Sequence, residues 1–313
     1  MVLCMILGIL CLIVIRFAWN KFISMNPISS QENKKDLNNL CCIVIPIYKD
    51  KLSEYEITSL KQCCAILGKY SIIFITHEKL DCSVYNSICD GNNVSYRYEY
   101  FKKKYFSSIS SYNALLLSKS FYTRFIDYEY MLIYQLDAYV FKDELEYWCK
   151  KGYDYIGAPW LKLNSLMTTP EFYTPPTVGN GGFSLRNINK IIGTHNLRIS
   201  MIGFTHLFDS HYSKLSIKSQ KNILYYIPRF FFSFLLKVLK YLFFKKHRAY
   251  NNEDYIWSIL FHKKGVMPSV DEAVKFSFEY FPEYLYQLNN EKLPFGCHKW
   301  YEYYHYFFYK NHL

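Results

Sequence analysis

Glycine is scarce in this 313-residue chain, at 12 residues, and none of it builds a G-x-G-x-x-G after a strand-like segment. There is no Walker-type lysine loop either, so a nucleotide would have to be held without a dinucleotide fingerprint or a P-loop. No internal repeat is present. The ten cysteines lack zinc-ligand spacing: two pairs are adjacent (Cys41-Cys42 and Cys63-Cys64) and two lie in the apolar N-terminus. They read as buried free thiols in a reducing compartment, not as a disulfide framework. Acid is missing from the 43 residues between Asp209 and Glu253, which carry nine Lys/Arg. Without those nine, 28 basic residues face 26 acidic ones, so the net charge of +11 belongs to one segment. That excludes a protein-wide nucleic-acid surface and points to a local contact.

What is abundant is apolar and aromatic surface, 51% and 20% of residues, which rules out a disordered chain. The length allows one large or two modest domains. Two segments read as membrane signals. Residues 1–19 are apolar except Arg16. At ~1.5 Å per residue they span about 28 Å, enough for an anchor helix with Arg16 snorkelling. No basic n-region precedes this run and no small-x-small site follows it, which argues against a cleaved signal peptide. Arg16 near the end of the span and Lys21 just after it point to a cytoplasmic body; in a eukaryotic secretory setting the same anchor would serve a lumenal enzyme. The second signal is "PRFFFSFLLKVLKYLFFKKHR" (228–248), inside a basic, aromatic insertion over 211–250. Its lysines interrupt a transmembrane span, and a basic helix lying in the interface fits better, each cation adding about 1 kcal/mol near an anionic surface. A core helix with lysines at its rim is the other reading.

Residues 20–39 are polar and read as a tether, 40–300 as the catalytic domain, and 301–313 as an aromatic tail. "CCIVIPIY" (41–48) is a strand buried on both faces, followed by a helix over 54–67 that carries Leu60, Cys63, Cys64 and Leu67 on one side. Further strands are expected at 71–76, 94–100 and 130–137, with a helix over 112–125. Strands alternating with helices imply an α/β fold with a mostly parallel sheet. Ligands of such sheets sit beyond the carboxyl ends of the strands, where Tyr48, Thr76 and Asp137 fall.

Five clusters could carry chemistry. Asp137 ends a buried strand, or simply caps a turn. "YDYIGAPW" brings out Trp160, a stacking surface for a sugar or a core residue. "TVGNGGFSLR" gathers Gly181 and Gly182, which admit close backbone approach or positive φ, although Asn180-Gly181 alone also predicts a hairpin turn. Its Arg186 could reach phosphate as a planar fork. "NNEDYIW" places Glu253 and Asp254 at a helix start, where the dipole favours acids and where a general base could also sit; Trp257 follows as a second stacking candidate. "LPFGCHKW" offers His298, a metal ligand or a structural histidine.

Each motif alone is ambiguous, but their order resembles the GT-A glycosyltransferases. In particular "QLDAYVF", "GAPW", "GNGGFSLR", the Asn-Glu-Asp and "LPFGCHKW" resemble a bacterial and fungal family of unknown function regarded as glycosyltransferase-like. The resemblance runs from about Ile43 to Trp300. It implies a GT-A-like (Rossmann-like) mixed, mostly parallel sheet flanked by helices, behind the N-terminal membrane anchor. It implies Asp254 as the base of an inverting sugar transfer, Glu253 as its supporting acid, and Asp137, Gly181 and Gly182 on the donor side. The residues themselves add Tyr48 and Arg186 as donor-side candidates and Trp160 and Trp257 as stacking candidates for the acceptor sugar. Asp137 and His298 would share a divalent metal, Mn²⁺ or Mg²⁺. Tyr139 stands where the family motif has its second Asp, so water and the diphosphate would have to complete that shell. The implied partners are a nucleotide-sugar, a glycan or lipid-linked acceptor and a membrane surface, not nucleic acid. Two rival readings stand beside it: a membrane-anchored nucleotide-sugar- or carbohydrate-binding protein that has lost catalysis, and a nucleotidyltransferase, which shares the α/β architecture.

Overall fold

The computed structural model describes residues 37–163, 169–173, 177–194 and 252–303. The expected anchor over 1–19, nearly all of the tether, the basic insertion over 211–250 and most of the tail lie outside them. Among the described residues no helix is long and apolar enough to cross a membrane.

The chain alternates strand and helix from the start: β1 (Cys41–Pro46), α1 (Glu54–Leu67), β2 (Ser71–Thr76), α2 (Ser83–Gly91), β3 (Tyr96–Tyr100), α3 (Ile109–Leu116) and β4 (Tyr130–Tyr134). A two-residue strand β5 (Tyr139–Val140), α4 (Leu145–Lys150), β6 (Tyr155–Gly157), β7 (Phe183–Asn187) and α5 (Ile188–Thr194) follow. Past the undescribed segment come α6 (Glu253–Lys264), α7 (Val270–Phe276), β8 (Ser277–Phe278) and β9 (Gly296–Cys297).

The main sheet has the order β3-β2-β1-β4-β7-β6. β3, β2, β1 and β4 run parallel, and β7 is antiparallel to both neighbours. This is the mixed, mostly parallel sheet the sequence implies. Every residue of β1 is buried, as a strand covered on both faces requires. Cys41, Ile43 and Ile45 pack with Leu60, Cys63 and Leu67 of α1, while Cys42 and Val44 pack with Met131, Ile133 and the α6 residues Trp257 and Phe261. Period-two alternation therefore sends β1 into two cores. α1 begins on a capping box, with Ser53 and Glu56 satisfying each other's backbone N–H groups.

Several boundaries differ from expectation, and two of these differences shape the site. The helix expected over 112–125 is broken: α3 stops at Leu116, and Ser118 starts a new short helix by accepting a hydrogen bond from Phe121 N. A serine that competes for backbone donors favours such a restart. β4 ends at Tyr134, not Asp137, because Ala138 N donates to Gln135 O (2.8 Å) and closes a turn. The turn leads into a second sheet, β8-β9-β5, in which Tyr139 faces Cys297. Buried Ser59 of α1 fixes this connection by donating to Ala138 O (2.6 Å), and Gln62 Nε2 donates to Val140 O (2.9 Å).

Candidate active site

The sheet reverses direction of winding between β1 and β4, and a cleft of about 460 Å³ opens beyond their carboxyl ends. Tyr48, Lys49, Phe106, Tyr112, Asp137 and Tyr301 help line it. Tyr48 is 60% exposed there. The turn after β4 presents Asp137 to this cleft, and the pairing of Tyr139 with Cys297 brings the next residue, His298, alongside. His298 Nε2 lies 3.2 Å from Asp137 Oδ1 and 3.2 Å from Gln135 Oε1, while Nδ1 lies 3.0 Å from Glu279 Oε1. Burial works against a charged ring, yet the hydrogen bonds and charges of Asp137 and Glu279 lift the His298 pKa to about 10. Burial would likewise raise Asp137, but the His298 bond and charge outweigh it and hold its carboxyl below the ordinary value.

A second group of charges meets the other side of the glycine-rich turn. Arg186 is wholly buried and forks onto Glu253, with Nη2–Oε1 at 2.8 Å and Nη1–Oε2 at 3.0 Å. Its remaining N–H groups go to Ser184 Oγ (3.0 Å), Tyr122 Oη (3.0 Å) and Gly181 O (3.3 Å). All five donors are used, so none is left for a phosphate. The expected donor-side role of Arg186 is corrected accordingly: its fork holds Glu253. Burial pushes the Glu253 pKa up to about 7, with Arg186 restraining the rise and Asp254 adding to it. Both Glu253 oxygens accept from the guanidinium, which is the arrangement of an ionised carboxylate.

Asp254, the next residue, is partly exposed. Its Oδ2 accepts from Gly181 N (3.1 Å) and its Oδ1 from Tyr255 N (2.7 Å). Burial raises its pKa, and these two N–H groups oppose the rise. Gly181 and Gly182 connect the two groups. A Cβ on Gly181 would meet Glu253 Oε1 at 2.8 Å and Asp254 Cβ at 3.0 Å, and one on Gly182 would overlap the His298 ring. Close approach requires glycine at both positions; positive φ occurs instead at Gly179 (135°). Gly182 O also accepts from Gln135 N (2.9 Å), so one dipeptide touches both the Asp137 turn and Asp254.

Trp257 is fully buried, its Nε1 donating to Leu116 O (3.3 Å), and so cannot stack on a sugar. Its place in the helix repeat, four residues before Phe261 on the same inward face, is the reason. Trp160 is partly exposed and pairs with Tyr255.

The divalent ion implied for Asp137 and His298 can be tested on the donors present. Among the described residues no three His, Cys, Asp or Glu side chains form a metal-holding group. Gln135 changes that count: its amide oxygen and Asp137 Oδ1 both lie 3.2 Å from Nε2, giving two oxygens and one imidazole nitrogen. Glu279 backs the ring at Nδ1, the outer-shell arrangement that orients a ligating histidine. Once Nε2 has lost its proton, these are the side chains that would hold Mn²⁺ or Mg²⁺. Tyr139 lies away from it, packed on Phe141 and Trp300 at ring distances of 5.4 and 5.1 Å. Gln135, Glu279 and Tyr255 were missed in the sequence. A lone acid inside "FSFEYF" was the available signal for Glu279, since an acid in an apolar run needs a partner.

No curated protein matches this chain by sequence. Similar solved chains include the apo-form glycosyltransferase GlyE of Streptococcus pneumoniae TIGR4, with 12% identity, a TM-score of 0.40, and coverage of 83% of this chain and 54% of that one. Core-mannan synthase A of Aspergillus fumigatus, in a Mn/GDP form, has 11% identity, a TM-score of 0.40 and coverage of 79% and 73%. The bifunctional glycosyltransferase WbbM, in apo form, has 12% identity, a TM-score of 0.44 and coverage of 87% and 47%. This chain thus spans about half the length of the first and third. At such TM-scores these likenesses carry no argument about activity. Residues 95–298, well over half of the chain, match the family described as Protein of unknown function (DUF5672), and the protein belongs to that family.

Proposed function

We propose that this chain moves a sugar from a nucleotide-sugar to an acceptor hydroxyl, with inversion at the anomeric carbon. The observation that carries the reading is the Gly181–Gly182 dipeptide, which joins a carboxylate fit to be a base to a cluster fit to face a diphosphate. Asp254 takes the acceptor proton as the acceptor oxygen bonds to the anomeric carbon. The bond from that carbon to the diphosphate oxygen breaks, and its electron pair leaves with the nucleoside diphosphate. A carboxyl raised by burial is a better base near neutrality than an ordinary aspartate. Glu253, tied down by Arg186, fixes the helix start that aims Asp254. Asp137, His298 and Gln135 are the side chains that would hold a divalent ion, which when bound supplies positive charge to the leaving diphosphate.

Asp254→Asn tests this directly. With a panel of UDP-, GDP- and CMP-sugars, donor binding should persist while transfer falls by about 10²–10⁴. Unchanged turnover would overturn the assignment, and binding without any transfer in the parent chain would favour a non-catalytic binding protein. We place the enzyme at a membrane on sequence grounds, through residues 1–19 and the basic, aromatic segment over 228–248, so that lipid-linked acceptors could approach. Activity unaffected by deleting 230–244 would count against that placement.

A further inference from the structure

Four tryptophans fall among the described residues, and three are sealed in cores: Trp148, Trp257 and Trp300 are 1%, 0% and 9% exposed. Trp160 is the exception. It lies three residues past the carboxyl end of β6, on the same edge of the sheet as Asp137, because β6 and β4 both run opposite to β7. Its backbone is fixed on both sides, Trp160 N donating to Thr177 O (2.8 Å) and Tyr173 N donating to Trp160 O (3.0 Å). Its ring meets that of Tyr255 with centroids 5.9 Å apart and planes at 49°, a tilted wedge and not a parallel stack. Tyr255 is also partly exposed and immediately follows Asp254, whose Oδ1 accepts from the Tyr255 N–H. Tyr173, whose N–H holds Trp160 O, is a further exposed ring on this part of the chain, at 47% exposure.

Rigid, half-exposed aromatic rings beside a carboxylate suit one kind of ligand well. A pyranose offers an apolar C–H face to an aromatic plane, and its edge carries hydroxyls. We propose that the Trp160–Tyr255 wedge is the acceptor subsite and that the acceptor is itself a saccharide, one ring lying on the wedge with a hydroxyl turned to Asp254. This rests on the transferase reading and narrows it: the acceptor group is a glycan hydroxyl, free or lipid-linked, and not a protein side chain or a bare lipid phosphate. Tyr255 thereby takes the place the sequence had suggested for Trp257.

The test uses the full chain in detergent, with UDP and GDP binding measured alongside. An array of mono- to tetrasaccharides bearing hexose, N-acetylhexosamine and acidic termini is probed with the parent, Trp160→Ala, Tyr255→Ala and Tyr255→Phe. The parent should bind a defined subset, with a shift in tryptophan emission that Trp160→Ala abolishes, because Trp160 is the partly exposed one of the described tryptophans. Trp160→Ala and Tyr255→Ala should each weaken that binding by about tenfold or more, Tyr255→Phe should retain it, and nucleotide binding should be unchanged in all three. No saccharide binding by the parent, or binding that both alanine variants preserve, would overturn the subsite. Loss of nucleotide binding in the parent would instead strike the transferase reading, and the two failures are read on separate channels.

Discussion

Glu253→Gln is the sharpest perturbation of the site's foundation. It keeps the size of the side chain and removes its charge, leaving Arg186 as a cation with no solvent exposure. The acceptors that remain, Ser184 Oγ, Tyr122 Oη and Gly181 O, are all neutral. Breaking a buried ion pair from one side costs about 3–5 kcal/mol, because the surviving charge cannot recover its hydration. A domain of this size loses about 2–4 °C of Tm per kcal/mol, so thermal unfolding of Glu253→Gln should come about 6–20 °C early. The double variant Arg186→Met/Glu253→Met removes both charges and should regain most of that loss; set against the single variants Arg186→Met and Glu253→Met, it should give a coupling of about 2 kcal/mol or more in a double-mutant cycle. Urea midpoints at constant m-value provide the second measurement. A Glu253→Gln Tm within about 2 °C of the parent would refute the reasoning, since it would mean that the Arg186 charge is solvated or otherwise compensated.

Other consequences are as specific. His298 has its folded pKa raised from 6.5 to about 10, so its contribution to stability is complete below about pH 6.5 and is lost as pH rises through 10. Tm should therefore fall between about pH 7 and 8.5, and His298→Gln should flatten that slope; equal slopes would show that the ring is neutral when folded. Mn²⁺ binding, followed by electron paramagnetic resonance of the free ion, should tighten over the same interval because Nε2 must shed its proton. Glu279→Gln should weaken Mn²⁺ by about 10–100-fold, and an unaltered affinity would remove Glu279 from the outer shell. Gly182→Ala drives a methyl into the His298 ring and should cost about 1–3 kcal/mol in urea unfolding. A neutral result there would mean that the turn and the ring are not in contact.

Much of the frame was legible because its signals are local. β2 and α1 occupy the residues expected, since an unbroken apolar run between turns and a Leu60/Cys63/Cys64/Leu67 face leave few alternatives. Thiols at these positions are buried and free, as their scatter implied. The helix over 112–125 failed at Ser118, whose preference for backbone donors a propensity sum hides. Arg186 was misjudged for a different reason. A basic fork beside glycines suits phosphate and carboxylate equally, and its partner lies 67 residues further on, across a segment whose path no periodicity reveals. Trp257 was legible in principle, since its spacing to Phe261 already marks a core face.

Tyr139 shows how a site can be misread by position alone. In the sequence it stands as a lost aspartate two residues after Asp137. In the fold, position 139 belongs to a two-residue strand paired with Cys297, and its side chain joins an aromatic pack with Phe141 and Trp300. The turn that ends β4 faces the cleft through the residues before that strand, Gln135 and Asp137, which are two apart and both reach His298 Nε2. The oxygen absent downstream of Asp137 would thus come from upstream, as an amide and not a carboxylate. One acid fewer in such a set would mean a weaker electrostatic hold on a divalent ion, and Glu279 behind the ring is the charge that would compensate. Tyr139→Asp should therefore fail to strengthen Mn²⁺ binding and should instead destabilise the aromatic pack, whereas Gln135→Glu should strengthen it. Tighter Mn²⁺ binding in Tyr139→Asp would return position 139 to the cleft and undo this account of the site.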